Sequence, residues 1–171
     1  MLILDIGCGC GLLTLILSEK WNVIGINVNK DRLNIARKIV KIDFKEKFDL
    51  ILALDILEHL KYPNKSLKKI HNHLKSNGLL IVSIPNKSSF WEVLNLFLKL
   101  EEHKHYWKPN EFKILLQKYG FELIDFYPRP MFGESLGFLP FYKNFLLVDI
   151  LLGKMTPAIA TGWVFAFRKI S

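Results

Sequence analysis

Short continuous apolar runs alternate along the chain with stretches in which apolar residues recur every three or four positions. Runs of the first kind predict buried strands, and stretches of the second kind predict helices. The predicted strands are residues 1–6, 22–26, 39–44, 48–54, 79–83, 121–126 and 163–167. The predicted helices begin near residues 12, 29, 64, 90 and 109. Because buried strands alternate with helices, the pattern predicts an α/β fold. Its sheet should be mostly parallel and seven-stranded, with a short third strand and helices on both faces.

The length and composition predict one folded domain that spans residues 1–171. Before the last predicted strand, an insert at about residues 128–161 is punctuated by proline and glycine. Its centre carries a broad apolar helical face formed by Phe141, Phe145, Leu146, Val148, Leu151 and Leu152. Such a face packs on its own domain, joins two copies in a homodimer, or contacts a membrane peripherally, and the sequence leaves all three open.

The formal net charge of +8 comes mainly from lysine, since only four residues are arginine. Readers of nucleic acid depend on arginine forks or on clustered basic stripes, so nucleic acid is disfavoured as a partner. The two cysteines, Cys8 and Cys10, are too close in sequence for an unstrained disulfide. Free thiols, together with the lack of a basic signal-peptide region and of a ~20-residue apolar stretch, predict a cytoplasmic protein.

A glycine-rich turn, Asp5-Ile6-Gly7-Cys8-Gly9-Cys10-Gly11, joins the first predicted strand to the first helix. Glycines let the backbone turn sharply and approach a ligand, and open α/β sheets bind ligands at this end of the strands. A dinucleotide-binding turn would place its third glycine at position 12, which here is Leu12. The turn therefore favours a nucleotide-like ligand over NAD, and a purely structural turn is the alternative.

The pattern Asp5-x-Gly7-x-Gly9-x-Gly11 resembles motif I of the class I S-adenosylmethionine-dependent methyltransferases. The segments 23–27 and 48–60 resemble the second and fourth strands of that family with their loops, and segments 83–86, 109–112 and 119–121 resemble its ubiquinone-biosynthesis-like branch. The resemblance implies a Rossmann-like methyltransferase fold with an antiparallel last strand. It also implies S-adenosylmethionine as the cofactor and methyl transfer, on oxygen, to a small-molecule or lipid-like acceptor.

The same resemblance implies which residues bind the cofactor. Its methionine part would lie on Asp5 and the glycine turn, its ribose at Asn27, and its adenine near Asp43 and Leu54. The full implied set is Asp5, Gly7, Cys8, Gly9, Gly11, Asn27, Asp43 and Leu54. The family places a carboxylate where this chain has Asn27, and a neutral amide accepts only part of the ribose hydrogen-bond pattern. The family also places a helix before its first strand, so a fragment and an open enzyme are both compatible with the sequence.

Three histidines are candidates for the general base of an oxygen-directed transfer: His59, His103 and His105. Each is equally compatible with a surface or hydrogen-bonded role. The pattern formed by Asp55, Glu58 and His59 is similar to an E-x-x-E-H metal motif of some ubiquinone-pathway O-methyltransferases, but aspartate is shorter than glutamate, and we predict no metal.

Three other functions are compatible with parts of the sequence. A nicotinamide-dependent oxidoreductase is disfavoured by Gly11 and Asn27. A methyltransferase-like scaffold with impaired cofactor binding could act through protein or membrane contacts. An RNA methyltransferase would show binding that falls steeply with salt.

Overall fold

The computed structural model describes residues 1–27, 46–87, 103–129 and 160–170, together with Ser89, Val93 and Phe97. The described elements, in chain order, are β1 (Leu2–Ile6), α1 (Leu12–Ser18), β2 (Asn22–Ile26), β3 (Phe48–Ala53), a 3-10 turn (Leu57–His59), α2 (Pro63–His73), β4 (Leu74–Pro85), α3 (Pro109–Lys118), β5 (Phe121–Pro128) and β6 (Gly162–Lys169). The helices predicted near residues 29 and 90 fall largely or wholly outside the described residues, as does most of the insert.

The strands form one mixed sheet in the order β2-β1-β3-β4-β6-β5. β1 pairs in parallel with β2 and with β3, and β3 pairs in parallel with β4. β6 is antiparallel to both of its neighbours, β4 and β5. The sheet therefore confirms the predicted mostly parallel architecture with an antiparallel last strand.

The predicted count of seven strands is wrong for the described part of the chain, where the sheet has six. The prediction counted residues 39–44 as a short third strand, and these residues lie outside the described ranges. That run is interrupted by Lys41 and Asp43. A six-residue run broken by two charges carries little information about a strand, because short apolar runs do not fix their own secondary structure.

One turn signal has a different meaning in the structure. The pair Asn77-Gly78 is typical of the end of a helix, but α2 ends at His73 and β4 begins at Leu74. Asn77 takes a left-handed backbone conformation with φ of 60°. The β3–β4 register shifts there, since Phe48 pairs with Leu74 and Leu50 pairs with Leu79. The Asn-Gly pair therefore forms an irregularity inside the β3–β4 pairing.

The larger hydrophobic core lies on the face of the sheet that α2 and α3 cover. Leu67 of α2 and Phe112 of α3 are fully buried against strand side chains of this face. At its centre the ring of Phe165 packs on three aromatic rings, with centroid distances of 5.2 Å to Phe112, 5.8 Å to Phe126 and 5.9 Å to Phe167. Burial of side chains this large supplies roughly 1.5–3 kcal/mol each, so this aromatic group stabilises the β5–β6 half of the sheet.

The opposite face carries α1, which confirms helices on both faces. Asp5 and Leu4 are neighbours in β1 and point to opposite faces, and Thr14 of α1 donates a hydrogen bond to Asp5. α1 itself has no buried residue, and Leu12, Leu15 and Ile16 are each more than half exposed. No helix in the described part of the chain is long and apolar enough to cross a membrane.

We expect Phe165→Ala to lower the free energy of unfolding by about 3–5 kcal/mol, because it removes the ring at the centre of the aromatic group. Urea denaturation followed by circular dichroism would measure the change. Ile170→Ala, at a position that is half exposed just after β6, is the control and should change stability little. Equal effects of the two substitutions would contradict this account of the core.

Candidate cofactor and acceptor site

The candidate site lies at the carboxyl ends of β1 and β3. β2 and β3 flank β1 on opposite sides, so the chain reverses its direction across the sheet at β1. The connections after β1 and β3 leave this edge in different directions, which opens a crevice between them. The glycine turn follows β1, and Leu54 follows β3. The structure thus brings together the two segments that the sequence assigned to cofactor binding.

The glycine turn is held by the end of β2. The backbone amides of Gly7 and Cys8 both donate to the carbonyl of Ile26, at 2.7 and 3.1 Å. Gly7, Gly9 and Gly11 all have positive φ, at 78°, 55° and 86°. Non-glycine residues rarely adopt such angles, so the three glycines are required by the path of the backbone.

The surroundings of Gly7 and Gly9 differ. A Cβ atom on Gly7 would collide with Cδ1 of Ile56 in the turn after β3. A Cβ atom on Gly9 would meet nothing within 4 Å. Gly7 therefore packs the two segments of the site together, whereas Gly9 presents backbone to open space. A ligand can approach the turn at Gly9, as a nucleotide-like cofactor requires.

Asn27 lies beside this open position. Its side-chain amide donates to the carbonyl of Gly9 at 3.4 Å. The residue expected at the ribose therefore contacts the glycine turn, and its carbonyl oxygen is the atom able to accept a hydrogen bond from a sugar hydroxyl. Asp43, the other acid assigned to the cofactor, lies outside the described residues.

Asp5 is a buried acid under the glycine turn, with 3% of its surface exposed. Its Oδ2 atom accepts a hydrogen bond from Thr14 Oγ1 at 2.6 Å. Burial raises the pKa of the Asp5 carboxyl, and the hydrogen bond from Thr14 partly opposes that rise. Burial, and then the nearby Asp5, also raise the pKa of the Cys8 thiol. Cys8 and Cys10 are free thiols in the described structure, and the raised pKa keeps Cys8 neutral at pH 7.

Thr14 and Gly25 complete this region, although neither belongs to the motif residues of the turn. A Cβ atom on Gly25 would lie 3.0 Å from both Cys8 Sγ and Thr14 Oγ1. The glycine in β2 thus leaves room for the side chains that support the turn. A glycine within an apolar strand was the available signal, because it often marks a close approach of neighbouring atoms.

Two of the three candidate histidines meet across the site. The rings of His59, at the end of the 3-10 turn, and His103 have centroids 4.7 Å apart. The amides of Lys104 and His105 donate to the carbonyl of Glu58, at 2.8 and 3.1 Å. These bonds attach the segment after residue 102 to the 3-10 turn and explain why residues 44 positions apart form a pair.

The third candidate, His105, faces a different neighbour. Its ring stacks on Trp107, with centroids 5.4 Å apart and planes 13° apart. Trp107 in turn packs on Phe112 of the core. Tyr106 lies edge-on to His103 and carries Lys87 over its ring. The imidazole rings of His59 and His103 are therefore in contact with each other. The ring of His105 instead belongs to the aromatic packing around Trp107.

Glu58, His59 and His103 also form a group with the donor atoms of a metal site. One potential ligand atom of each lies within 4.8 Å of the others, and Glu58 is buried. Carboxylate oxygen and imidazole nitrogen are suitable ligands for several divalent ions. Asp55, the first acid of the D-x-x-E-H pattern, is not in this group. The absence of a metal stays a prediction.

Asp55 instead binds two other segments. It has φ of 51°, and its carboxylate accepts hydrogen bonds from Ser83 Oγ at 2.9 Å and from Arg129 Nη1. Its own backbone amide donates to Ser83 Oγ at 2.9 Å. Ser83 and Arg129 were not predicted as site residues. An arginine between two prolines, at the end of a strand, was the only sequence signal for Arg129.

A cavity of about 500 Å³ adjoins the site on the face that α2 covers. Gly7, Asn27 and His59 line it, and deeper apolar side chains come from β1, β2 and β3. Its walls are mostly apolar, with Ser66, Lys69 and His73 of α2 also among the lining residues. The cavity thus reaches both the glycine turn and one of the paired histidines.

The sheet order and the glycine turn at the reversal define a Rossmann-like ligand-binding domain. Among solved structures, a putative S-adenosylmethionine-dependent methyltransferase from Listeria monocytogenes superposes with a TM-score of 0.70 at 18% identity, covering 99% of this chain and 90% of that one. A SAM-dependent methyltransferase from Archaeoglobus fulgidus superposes with a TM-score of 0.66 at 21% identity, covering 98% and 86%. The fold is therefore that of S-adenosylmethionine-dependent methyltransferases.

The family described as "Methyltransferase domain" matches residues 1–125, and the chain belongs to it. A ubiquinone biosynthesis O-methyltransferase of Bradyrhizobium diazoefficiens is 32% identical over 123 residues, which are 63% of this chain and 48% of that protein. An uncharacterized protein of Methanocaldococcus jannaschii is 33% identical over 150 residues, 81% of this chain and 60% of that protein. The chain thus spans about half to three-fifths of the length of these relatives.

We expect Asp5→Asn to stabilise the ligand-free protein at neutral pH. Because the folded-state pKa of Asp5 is raised, the folded protein binds the proton more tightly than the unfolded chain, so the ionised carboxylate opposes folding. The contribution of Asp5 to stability should therefore increase as the pH falls from neutral through its folded-state pKa, so the stabilisation by Asp5→Asn relative to the wild type should shrink over that range. Urea midpoints measured between pH 4 and 8 test it.

Asp49→Asn is the matched control with the opposite sign. Lys75 and the amide of Leu2 hydrogen-bond to Asp49 and lower the pKa of its carboxyl. That carboxylate therefore stabilises the folded protein at neutral pH, and its contribution is lost as the pH falls. A urea midpoint that moves in the same direction for both variants at pH 7 would contradict the two assignments.

Proposed function

We propose that this chain carries an S-adenosylmethionine-dependent methyltransferase that methylates an oxygen of a small-molecule or lipid-like acceptor. The observation that supports this most strongly is the open backbone at Gly9 beside Asn27, at the sheet reversal of a methyltransferase-family domain. A ligand-binding turn at this position is what the fold uses to hold a nucleotide-like group.

The cofactor would lie along the crevice between the glycine turn and the turn after β3. Asp5, Gly7, Cys8, Gly9 and Gly11 would hold its methionine part, Asn27 its ribose, and Leu54 its adenine. When bound, the cofactor supplies a sulfonium methyl group that is already activated. The task of the protein is then to align donor and acceptor and to exclude water, which is a positioning effect.

The paired imidazoles of His59 and His103 are suited to take the proton from an acceptor hydroxyl. A neutral imidazole nitrogen can accept a proton, and a general base within hydrogen-bond reach of the hydroxyl contributes about 10² to 10⁴ in rate. His59 also lines the apolar cavity, which brings a base and an apolar surface to one place. His105 is the weaker candidate because its ring stacks on Trp107.

Two observations support an oxygen acceptor with apolar character. Several relatives, including the one from Bradyrhizobium diazoefficiens, are named ubiquinone biosynthesis O-methyltransferases. The cavity beside His59 has mostly apolar walls, which favour a hydrophobic acceptor.

Three further expectations from the sequence stay predictions. They are a peripheral membrane contact or a homodimer through residues 128–161, a cytoplasmic location, and a single domain over residues 1–171.

The second candidate function is a scaffold with impaired cofactor binding, and Asn27 favours it. Its amide donates to the Gly9 carbonyl, and it offers one neutral oxygen where the family has a carboxylate. The RNA methyltransferase alternative gains no support from the described site, where the aromatic residues Trp107 and Phe112 pack on each other in the core.

Calorimetric titration with S-adenosylhomocysteine tests the proposal directly, with NADH as the parallel control. We expect micromolar binding of S-adenosylhomocysteine and none of NADH, since the third glycine is at position 11. A protein that is folded by circular dichroism and binds neither compound would favour the scaffold function.

We expect Asn27→Asp to tighten S-adenosylhomocysteine binding by about tenfold. A carboxylate accepts both ribose hydroxyls, and hydrogen bonds to a charged group are worth roughly 1.5–3 kcal/mol against about 1 kcal/mol for neutral ones. Asn27→Ala should weaken binding and serves as the comparison. Weaker binding by the aspartate variant would show that the hydrogen bond to Gly9 matters more than acceptance from the ribose.

A further inference from the structure

The side chain of Arg129 crosses the carboxyl edge of the sheet. Arg129 follows the last residue of β5, and its backbone amide donates to the carbonyl of Gly162 at 2.8 Å. Its guanidinium forms an ion pair with Asp55 at the end of β3. Since β6 and β4 lie between β5 and β3, one side chain connects the outer strand of the sheet to the turn beside the glycine loop.

The guanidinium of Arg129 packs over the glycine at the start of β6, where the backbone oxygen of Ile84 also leaves no room for a Cβ atom. A Cβ atom on Gly162 would lie 2.6 Å from both Nε and Nη2 of Arg129. The guanidinium therefore lies directly over the backbone of β6. Only 20% of the Arg129 side chain is exposed, so its orientation is fixed by protein contacts rather than by solvent.

Asp55 is held on both of its carboxylate oxygens. Oδ1 accepts from Ser83 and Oδ2 accepts from Arg129. The backbone of Asp55 is left-handed, a conformation that costs free energy for a residue other than glycine. Such a conformation persists when its surroundings impose it, and here it is imposed by Ser83 of β4 and by Arg129, which follows β5.

The turn from Leu54 to His59 contributes residues to both the cofactor part and the acceptor part of the candidate site. Leu54 precedes Asp55, and Ile56 follows it and fills the space that Gly7 leaves open. His59 ends the 3-10 turn immediately afterwards. A shift of Asp55 would therefore move the wall of the glycine turn and the imidazole of His59 together.

We propose that Arg129 is a positioning residue for methyl transfer, which acts by fixing Asp55 and, through it, the turn from Leu54 to His59. The inference rests on the proposed function, because that function makes this turn part of the cofactor and acceptor site. Arg129 itself need touch neither the cofactor nor the acceptor. Its effect on binding should therefore disappear once Asp55 can no longer accept its charged hydrogen bond.

The test compares Arg129→Gln, Asp55→Asn and the double variant by calorimetry with S-adenosylhomocysteine. Loss of the charged hydrogen bond should lower the affinity for S-adenosylhomocysteine about tenfold in each single variant. The affinity of the double variant should be no lower than that of the single variant that binds less tightly. Arg129→Lys keeps the charge and should recover part of the affinity. Arg168→Gln, at the exposed opposite end of β6, is the matched control and should bind like the wild type.

Wild-type affinity in Arg129→Gln, or effects of the two single variants that multiply in the double variant, would overturn the positioning role. Hydrogen exchange in the ligand-free proteins gives a second readout that needs no cofactor. Arg129→Gln should speed exchange of the Asp55 amide, which is bonded to Ser83, while the amides of β1 keep their protection. Exchange of the Asp55 amide at the wild-type rate would also overturn it.

Failure of the proposed function gives a different result. If the wild-type protein binds no S-adenosylhomocysteine, the methyltransferase proposal fails, and the exchange rate of the Asp55 amide alone decides whether Arg129 fixes the turn. Thermal midpoints of Arg129→Gln and Arg129→Lys that match the wild type show that a loss of affinity is not a loss of folding.

Discussion

The structure depends on how the chain leaves the carboxyl end of β1. The backbone must turn at once, reach α1 on one face, and stay close to β2, and the Ile26 carbonyl fixes that path by accepting two successive amides. Three positive φ angles within five residues follow from this constraint. No side chain covers the backbone at Gly9, which is therefore open to a ligand. The requirement for glycine in this turn and the opening for a ligand at Gly9 thus have one physical cause.

The region around the glycine turn contains groups that lower the stability of the folded protein. A buried carboxylate at Asp5 is unfavourable, since only one hydrogen bond from Thr14 opposes the cost of its desolvation in the described structure. Gly25 gives up a side chain in the middle of a strand so that Cys8 and Thr14 can fit. Buried apolar residues elsewhere, such as Phe165, stabilise the fold. Their contribution offsets the unfavourable groups near the turn.

The second half of the site is assembled from segments that are distant in sequence. The 3-10 turn receives the segment at His103 through two backbone hydrogen bonds, and Asp55 receives Ser83 and Arg129. These contacts divide the D-x-x-E-H pattern between two roles. Asp55 fixes the turn, whereas Glu58 and His59 face His103. The three residues therefore do not act as one set of ligands: Asp55 contacts Ser83 and Arg129, and the other two residues lie beside His103.

The sequence by itself determined the class of fold, the glycine turn after β1 and most positions of the described strands and helices. The apolar run at residues 22–26 matches the observed strand, and the helix predicted near residue 109 begins at Pro109. Both signals depend only on neighbouring residues along the chain. The misread signals were those whose meaning depends on a partner strand. Asn77 looked like a helix stop and instead lies within the β3–β4 pairing.

Only the tertiary structure decided which side chains meet. His59 and His103 form a pair while His105 stacks on Trp107, although all three had equal standing in the sequence. Arg129 reaches Asp55 across two intervening strands. No local pattern encodes such contacts, because they depend on strand order and on the direction in which each side chain leaves the sheet. The periodicity of apolar residues depends on neighbours along the chain, whereas the geometry of the site depends on contacts between segments that are distant in sequence.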